Sequence, residues 1–187
     1  MTILQTPEPI KEEHQAFHDE LLKAIESGGE VGKIAKQIDN ILNQHFKIEE
    51  ESAFPPLILM GPLSRGEIDS SMKDAMKFIE RLKHELPQLT SDHLEIIQIL
   101  KDFDAALKTE KKIEFAQFSQ KIIHHARAEE GILYPAAILI GEYLGLRLSL
   151  WRKEPSELLA YTGCNFEVQS SIQGIGLELI GAHRAMV

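Results

Sequence analysis

Two eleven-residue strings in this chain repeat one another at a distance of 80 positions. Residues 45–55 read His-Phe-Lys-Ile-Glu-Glu-Glu-Ser-Ala-Phe-Pro, and residues 125–135 read His-Ala-Arg-Ala-Glu-Glu-Gly-Ile-Leu-Tyr-Pro. His45 and His125 each carry a Glu at +4 (Glu49, Glu129), a ring at +9 (Phe54, Tyr134) and a proline at +10 (Pro55, Pro135). An acidic residue followed by His lies upstream of each: Glu13-His14, 31 residues before His45, and Asp92-His93, 32 before His125. A repeat whose matching members are His and Glu points to one metal site built from two halves.

Helical periodicity runs through the chain, and no segment alternates like a strand. The spacing predicts helix A over about 9–26, with Ile10, His14, Phe17, Leu21 and Ile25 on one face and a stop at Gly28-Gly29. Helix B spans about 31–53, with Ile34, Ile38, Ile41, His45, Ile48, Glu49 and Ser52 inward. Residues 55–66, rich in Pro and Gly, read as a loop. Residues 67–86 are amphipathic through Ile68, Met72, Met76, Ile79, Leu82 and Leu86, until Pro87 breaks or kinks the pattern. A new start at Ser91-Asp92 opens helix C, with His93, Ile96, Leu100, Phe103 and Leu107 inward. Helix D follows from about Lys111, with Phe115, Phe118, Ile122, His125, Glu129 and Ile132 inside. Two helical hairpins, A–B and C–D, close into an all-α, up-down-up-down four-helix bundle over residues 1–148. The segment 67–86 is either inserted between them or an extension of helix C. Residues 149–187 are an extension packed on the bundle or on a partner.

His and Glu four apart share one helix face. His14, His45, His93, His125, Glu49 and Glu129 all fall on stripes that otherwise carry Ile, Leu and Phe. Six buried titratable groups are costly without partners, and two facing carboxylates repel unless a cation lies between them. A dinuclear centre resolves both problems, with Glu49 and Glu129 bridging. By symmetry His14 and His45 serve one metal, and His93 and His125 the other. Imidazole plus carboxylate with open positions suits iron, and manganese or zinc are chemically acceptable substitutes. Room remains for an oxo or hydroxo bridge and an outside ligand. Glu13 and Asp92 read as helix N-terminal acids or partners of the ligand imidazoles, Glu50, Glu51 and Glu130 as solvent-facing, and Phe54 and Tyr134 as packing rings.

These residues resemble the hemerythrin-like, HHE cation-binding family over roughly residues 10–140. The resemblance rests on His14, His45-Phe-Lys-Ile-Glu49, His93 and His125-Ala-Arg-Ala-Glu129 with the trailing Phe-Pro and Tyr-Pro. It implies two iron ions in a non-haem Fe–O–Fe type centre, and roles in oxygen binding, iron or oxygen sensing, or handling of nitric oxide or peroxide. Two departures stand out. Oxygen carriers of the family place a second His four residues along helix C, where this chain has Ile97. They also end the last motif with Asp at +5 rather than with Glu at +4. His18, one turn after His14, is an additional candidate ligand.

A net charge of −9 argues against nucleic acid or an anionic membrane surface as partner. The apolar run 131–150 is interrupted by Glu142, Arg147, two glycines and a proline, which disfavours a bilayer. The single Cys164 excludes an intramolecular disulfide framework, and the first residues lack the basic and apolar regions of a signal peptide. The expectation is a cytoplasmic protein, compatible with a homo-oligomer, that binds metal ions and a small diatomic ligand. The leading reading is a di-iron protein that binds oxygen or senses iron or oxygen. One alternative is a di-iron enzyme acting on oxygen, peroxide, nitric oxide or iron(II), although no residue is assigned a catalytic role. Another is a structural or stored cation within an interaction module.

Overall fold

The computed structural model describes residues 4–150, and within them the chain is helical with no strand. The expected extension 149–187, with Cys164 and His183, lies beyond residue 150 and so almost wholly outside the described residues. Helix α1 (Glu8–Glu26) turns through Gly28 and Gly29, both at positive φ, into α2 (Gly29–Ile48). Only glycine adopts two such dihedrals in succession cheaply, so the hairpin turn is written into the sequence.

At Glu49 the helix does not end. One π-helical turn, Glu49–Ala53, carries it on, closed by the Phe54 N–H donating to the Glu49 carbonyl at 3.0 Å. The expected loop 55–66 is instead two short helical turns, a 3-10 turn Pro55–Leu59 and α3 (Met60–Ser64). Prolines are tolerated at the start of a helical turn because the N–H they lack would be unpaired there. Leu57 and Leu59 bury against the bundle and hold the segment down.

A 3-10 turn at Ser70–Asp74 leads into α4, a single helix from Ala75 to Glu110. Of the two alternatives for 67–86, extension of the third bundle helix is the one realised from Ala75 onward. No new start occurs at Ser91. Pro87 lies inside α4 on its exposed side, and the carbonyl it leaves without a donor, that of Lys83, also belongs to an exposed residue. The helix survives the proline because water can take that bond. Lys111 ends α4 in the left-handed conformation, and Lys112 N–H bonds back to the Leu107 carbonyl. The fourth helix therefore begins later than expected: a 3-10 turn at Ile113–Phe115 precedes α5 (Phe118–Ala128). A second π turn, Glu129–Leu133, joins α5 to α6 (Tyr134–Leu150).

Two apolar clusters fill the bundle. One gathers Phe17, Leu21, Ile38, Leu42, Phe103 and Phe118, and the other Phe54, Leu59, Ile79, Leu82, Leu89 and Tyr134. Along α1 and α4 the chain passes from the second cluster to the first, and along α2 and α5 from the first to the second. That alternation is the up-down-up-down topology. At each crossing sits a His: His14, His45, His93 and His125, all buried. By length and composition alone, the run Ile113–Ser149 is the one helix among the described residues apolar enough to cross a bilayer. It carries His125 and Glu129 into the bundle interior.

Gly141 marks a close approach between α6 and α4, because a Cβ there would meet Ile79 Cγ1 at 2.5 Å. Gly141→Ala is expected to cost about 1–3 kcal/mol through overpacking. Gly131→Ala, whose Cβ would meet nothing within 4 Å, serves as the comparison and is expected to be neutral or to stabilise by up to about 1 kcal/mol. Urea denaturation midpoints of the two variants check the difference.

Candidate metal centre

The six residues expected from the repeat meet in one buried layer between the apolar clusters. Glu49 and Glu129 are both 0% exposed. Glu49 Oε2 lies 3.6 Å from His14 Nε2 and its Oε1 3.5 Å from His45 Nε2. Glu129 Oε1 lies 2.8 Å from His125 Nε2 and 3.8 Å from His14 Nε2, and its Oε2 lies 3.2 Å from His93 Nε2. Each carboxylate thus spans two groups of donor atoms that could each hold a cation. One is His14, Glu49, His125 and Glu129, and the other is His45, Glu49, His93 and Glu129.

This pairing corrects the symmetric assignment made from the sequence. His14 and His45 do not share a position. Glu49 stands between them, one oxygen toward each, and the His14 ring stacks on Phe46 at 3.8 Å instead. Each hairpin therefore gives one imidazole to each position.

The outer nitrogen of every imidazole meets a carboxylate. His14 Nδ1 pairs with Glu50 at 2.8 Å, His45 Nδ1 with Asp92 at 3.3 Å, His93 Nδ1 with Glu130 at 2.8 Å and His125 Nδ1 with Glu13 at 3.2 Å. An ionised carboxylate only accepts, so Nδ1 donates and each Nε2 turns toward the centre, where the 2.9 Å hydrogen bond between His45 Nε2 and His93 Nε2 requires a second proton on one of those two rings. Carboxylates behind ligand imidazoles fix the tautomer and the ring orientation. The sequence pointed to Glu13 and Asp92 for this work but placed Glu50 and Glu130 in solvent. They reach both ways, half-exposed yet hydrogen-bonded to buried imidazoles. The usable signal was the repeat itself, which preserves the acid after each ligand Glu.

The π turns explain two further differences. An extra residue in the turn makes position +9 from each His behave like +8 of an α-helix, which points inward. Phe54 and Tyr134 are accordingly buried. Position +7 swings away from the layer for the same reason; Ile132 there, expected inside, is 65% exposed, whereas Ser52 at the matching place is buried. Tyr134 is also more than a packing ring, because its hydroxyl donates to Glu49 Oε1. His18 lies outside both donor groups. Its Nδ1 pairs with Asp39 at 3.2 Å, and its ring meets the Phe46 edge. His124 and His84 are exposed, and Met72 and Met76 pack in the core.

The electrostatics follow from burying charge beside charge. Burial and then the Glu129 charge raise the Glu49 carboxyl. Burial pushes Glu129 the same way, but the imidazoles of His125, His14 and His93 beside it outweigh burial and hold Glu129 well below the usual range. Burial would depress His45; the Glu49 hydrogen bond and charge, then Glu129 and Asp92, outweigh it and raise it to about 9. His125 rises against its burial through Glu129. The Tyr134 phenol is raised by burial and by the Glu49 and Glu129 charges, so it keeps its proton.

His14 Nε2, His125 Nε2, Glu49 Oε2 and both Glu129 oxygens are buried without a hydrogen-bond partner, although His125 and Glu129 come as close as 2.8 Å. Buried polar atoms almost always have partners. Five orphans converging on two points, with lone pairs oriented inward, fit a cation pair. A family model described as the hemerythrin HHE cation-binding domain matches residues 6–137. No curated protein and no solved structure matches the chain.

A raised imidazole stabilises the fold while it is protonated. The His45 contribution is complete below about pH 6.5 and is lost as pH rises through about 9. In chelator, the urea midpoint of the metal-free protein is expected to fall across that window, and His45→Gln to flatten the fall. Asp92→Asn is expected to weaken metal binding by roughly 10–100-fold without changing the helical circular dichroism.

Proposed function

From the premise that the chain belongs to the hemerythrin HHE cation-binding domain family, we propose that it is a di-iron protein. In this reading it binds a small ligand such as oxygen, or senses iron and oxygen, in a reducing cytoplasmic compartment. The observation that carries the reading is the set of five orphaned, buried donor atoms on His14, His125, Glu49 and Glu129. His14, His45, His93 and His125 would cap two metals, with Glu49 and Glu129 between them. An all-imidazole and carboxylate donor set favours iron, with manganese and zinc as substitutes. Bound iron would supply a reducible centre able to take a diatomic ligand.

The chain's own groups do the rest. Glu13, Glu50, Asp92 and Glu130 orient the imidazoles. Phe17, Phe46, Phe54 and Tyr134 pack rings around the layer and exclude bulk water. A groove of about 420 Å³ between α1 and α2, lined by Lys11, His14, His18, Phe46, Lys47 and Glu50, lies against the outer side of His14.

One observation favours the enzyme alternative, turnover of oxygen, peroxide, nitric oxide or iron(II). The Tyr134 hydroxyl is an interior proton beside a bridging carboxylate, and oxygen chemistry consumes protons. Its raised phenol argues the other way, since a group that holds its proton is a hydrogen-bond donor before it is an acid. Binding is therefore the leading reading.

Anaerobic purification with iron, metal counting and exposure to oxygen separate the cases. The expected result is two iron ions per chain and optical bands that appear with oxygen and reverse under vacuum. Rapid irreversible oxidation with peroxide consumption assigns an enzyme, and less than one metal per chain overturns the dinuclear reading. Glu49→Ala is expected to abolish the two-metal state rather than weaken one position.

A further inference from the structure

The two halves of the site are related by a pseudo-two-fold that exchanges Glu13 with Asp92, His14 with His93, His45 with His125, Glu49 with Glu129 and Glu50 with Glu130. The four outer imidazole–carboxylate pairs map onto one another under this exchange, His14–Glu50 onto His93–Glu130 and His45–Asp92 onto His125–Glu13. The last pair does not keep its chemistry: Phe54 exchanges with Tyr134, and only Tyr134 has a hydroxyl.

The consequence is visible in the donor atoms. At the His14–His125 position, His14 Nε2, His125 Nε2, Glu49 Oε2 and Glu129 Oε1 all lack hydrogen-bond partners. They lie within 4.8 Å of one another. The His14 ring is locked by the Phe46 stack on one side and Glu50 on its outer nitrogen. At the His45–His93 position the donors are engaged. His45 Nε2 and His93 Nε2 share a hydrogen bond at 2.9 Å, and Glu49 Oε1 accepts from Tyr134. Only Glu129 Oε2 is without a partner there. A cation entering the first position breaks no hydrogen bond and parts only the 2.8 Å contact between His125 and Glu129. One entering the second must break the His45–His93 bond and compete with a phenol for Glu49.

We propose that the two metal positions are unequal: the His14–His125 position fills first, and the Tyr134 hydroxyl, by holding Glu49 Oε1, weakens the His45–His93 position. The inference rests on the metal-binding reading above and assigns Tyr134 as a positioning residue of that site. Ring packing alone does not account for the hydroxyl, because Phe54 fills the matching place without one. The Tyr134 ring also stacks parallel to His93, at 6.3 Å and 8°, so its hydroxyl and the second position share one wall. Glu49 is then a divided ligand, with one oxygen committed to protein and one free for metal, whereas Glu129 offers both.

The test is a cobalt(II) titration of the metal-free full chain without oxygen, followed by calorimetry and by the visible bands of cobalt. Two steps are expected, with dissociation constants at least about tenfold apart, the scale set by losing one or two hydrogen bonds. His14→Ala is expected to remove the tight step and His93→Ala the weak one. Tyr134→Phe, which copies Phe54, is expected to tighten the second step to within about threefold of the first and to shift its bands, as freeing one buried acceptor would. Phe54→Tyr is expected to weaken the first step. Urea midpoints of the variants show whether each remains folded. Two equal steps in the wild type, or a second step unmoved by Tyr134→Phe, overturn the inference while leaving the metal site standing. No cobalt bound at all overturns the metal-binding reading, and the inference with it.

Discussion

Two carboxylates buried face to face at the centre of a helix bundle are the condition around which this molecule is built. Glu49 and Glu129 repel one another, and no solvent reaches either. Four imidazoles surround them, and four further acids stand behind the imidazoles. Charge therefore alternates outward in layers: carboxylate, imidazole, carboxylate, water. The outer acids satisfy the outer nitrogens of the imidazoles. The inward nitrogens of His14 and His125 and the inner carboxylates are left with atoms that nothing in the protein satisfies.

That arrangement also explains where the helices depart from regularity. Both departures from α geometry in the bundle helices begin on the central carboxylates themselves, Glu49 and Glu129. A π turn widens the helix by one residue, and such turns gather at functional sites. Here the extra residue brings Phe54 and Tyr134 back to the inner face to roof the layer. The long extension of α4 covers only the first of these turns, which is why Ser52 is buried while its counterpart Ile132 is exposed.

How much of this was legible in the sequence depended on whether the signal was periodic or positional. The bundle, its topology and the six central residues were legible because spacing of four on a helix is a geometric statement. The pairing of imidazoles was not. Spacing along one helix says nothing about which neighbour a ring meets, and His14 meets His125 only after four helices have closed. The continuity of α4 through Pro87 was hidden for a different reason: a proline's cost depends on whether the orphaned carbonyl faces water, which the residue type does not reveal. The Tyr134 hydroxyl was discounted because Phe54 stood at the matching place. Treating the repeat as exact concealed the one position where its inexactness has chemistry.

The exchange symmetry of the outer acids carries an implication about how such a site can arise. His14 takes its partner Glu50 from its own hairpin, but His125 takes Glu13 and His45 takes Asp92 from the opposite one. Neither hairpin holds a full set of oriented imidazoles, so half a chain would recover the site only by pairing with a second copy about a true dyad. Such a dimer is bound to place identical residues at both ends of the metal layer. Joining the halves in one polypeptide removes that obligation. Covalent linkage, which adds nothing to the packing, is what permits one end of the layer to carry a phenol and the other a plain ring.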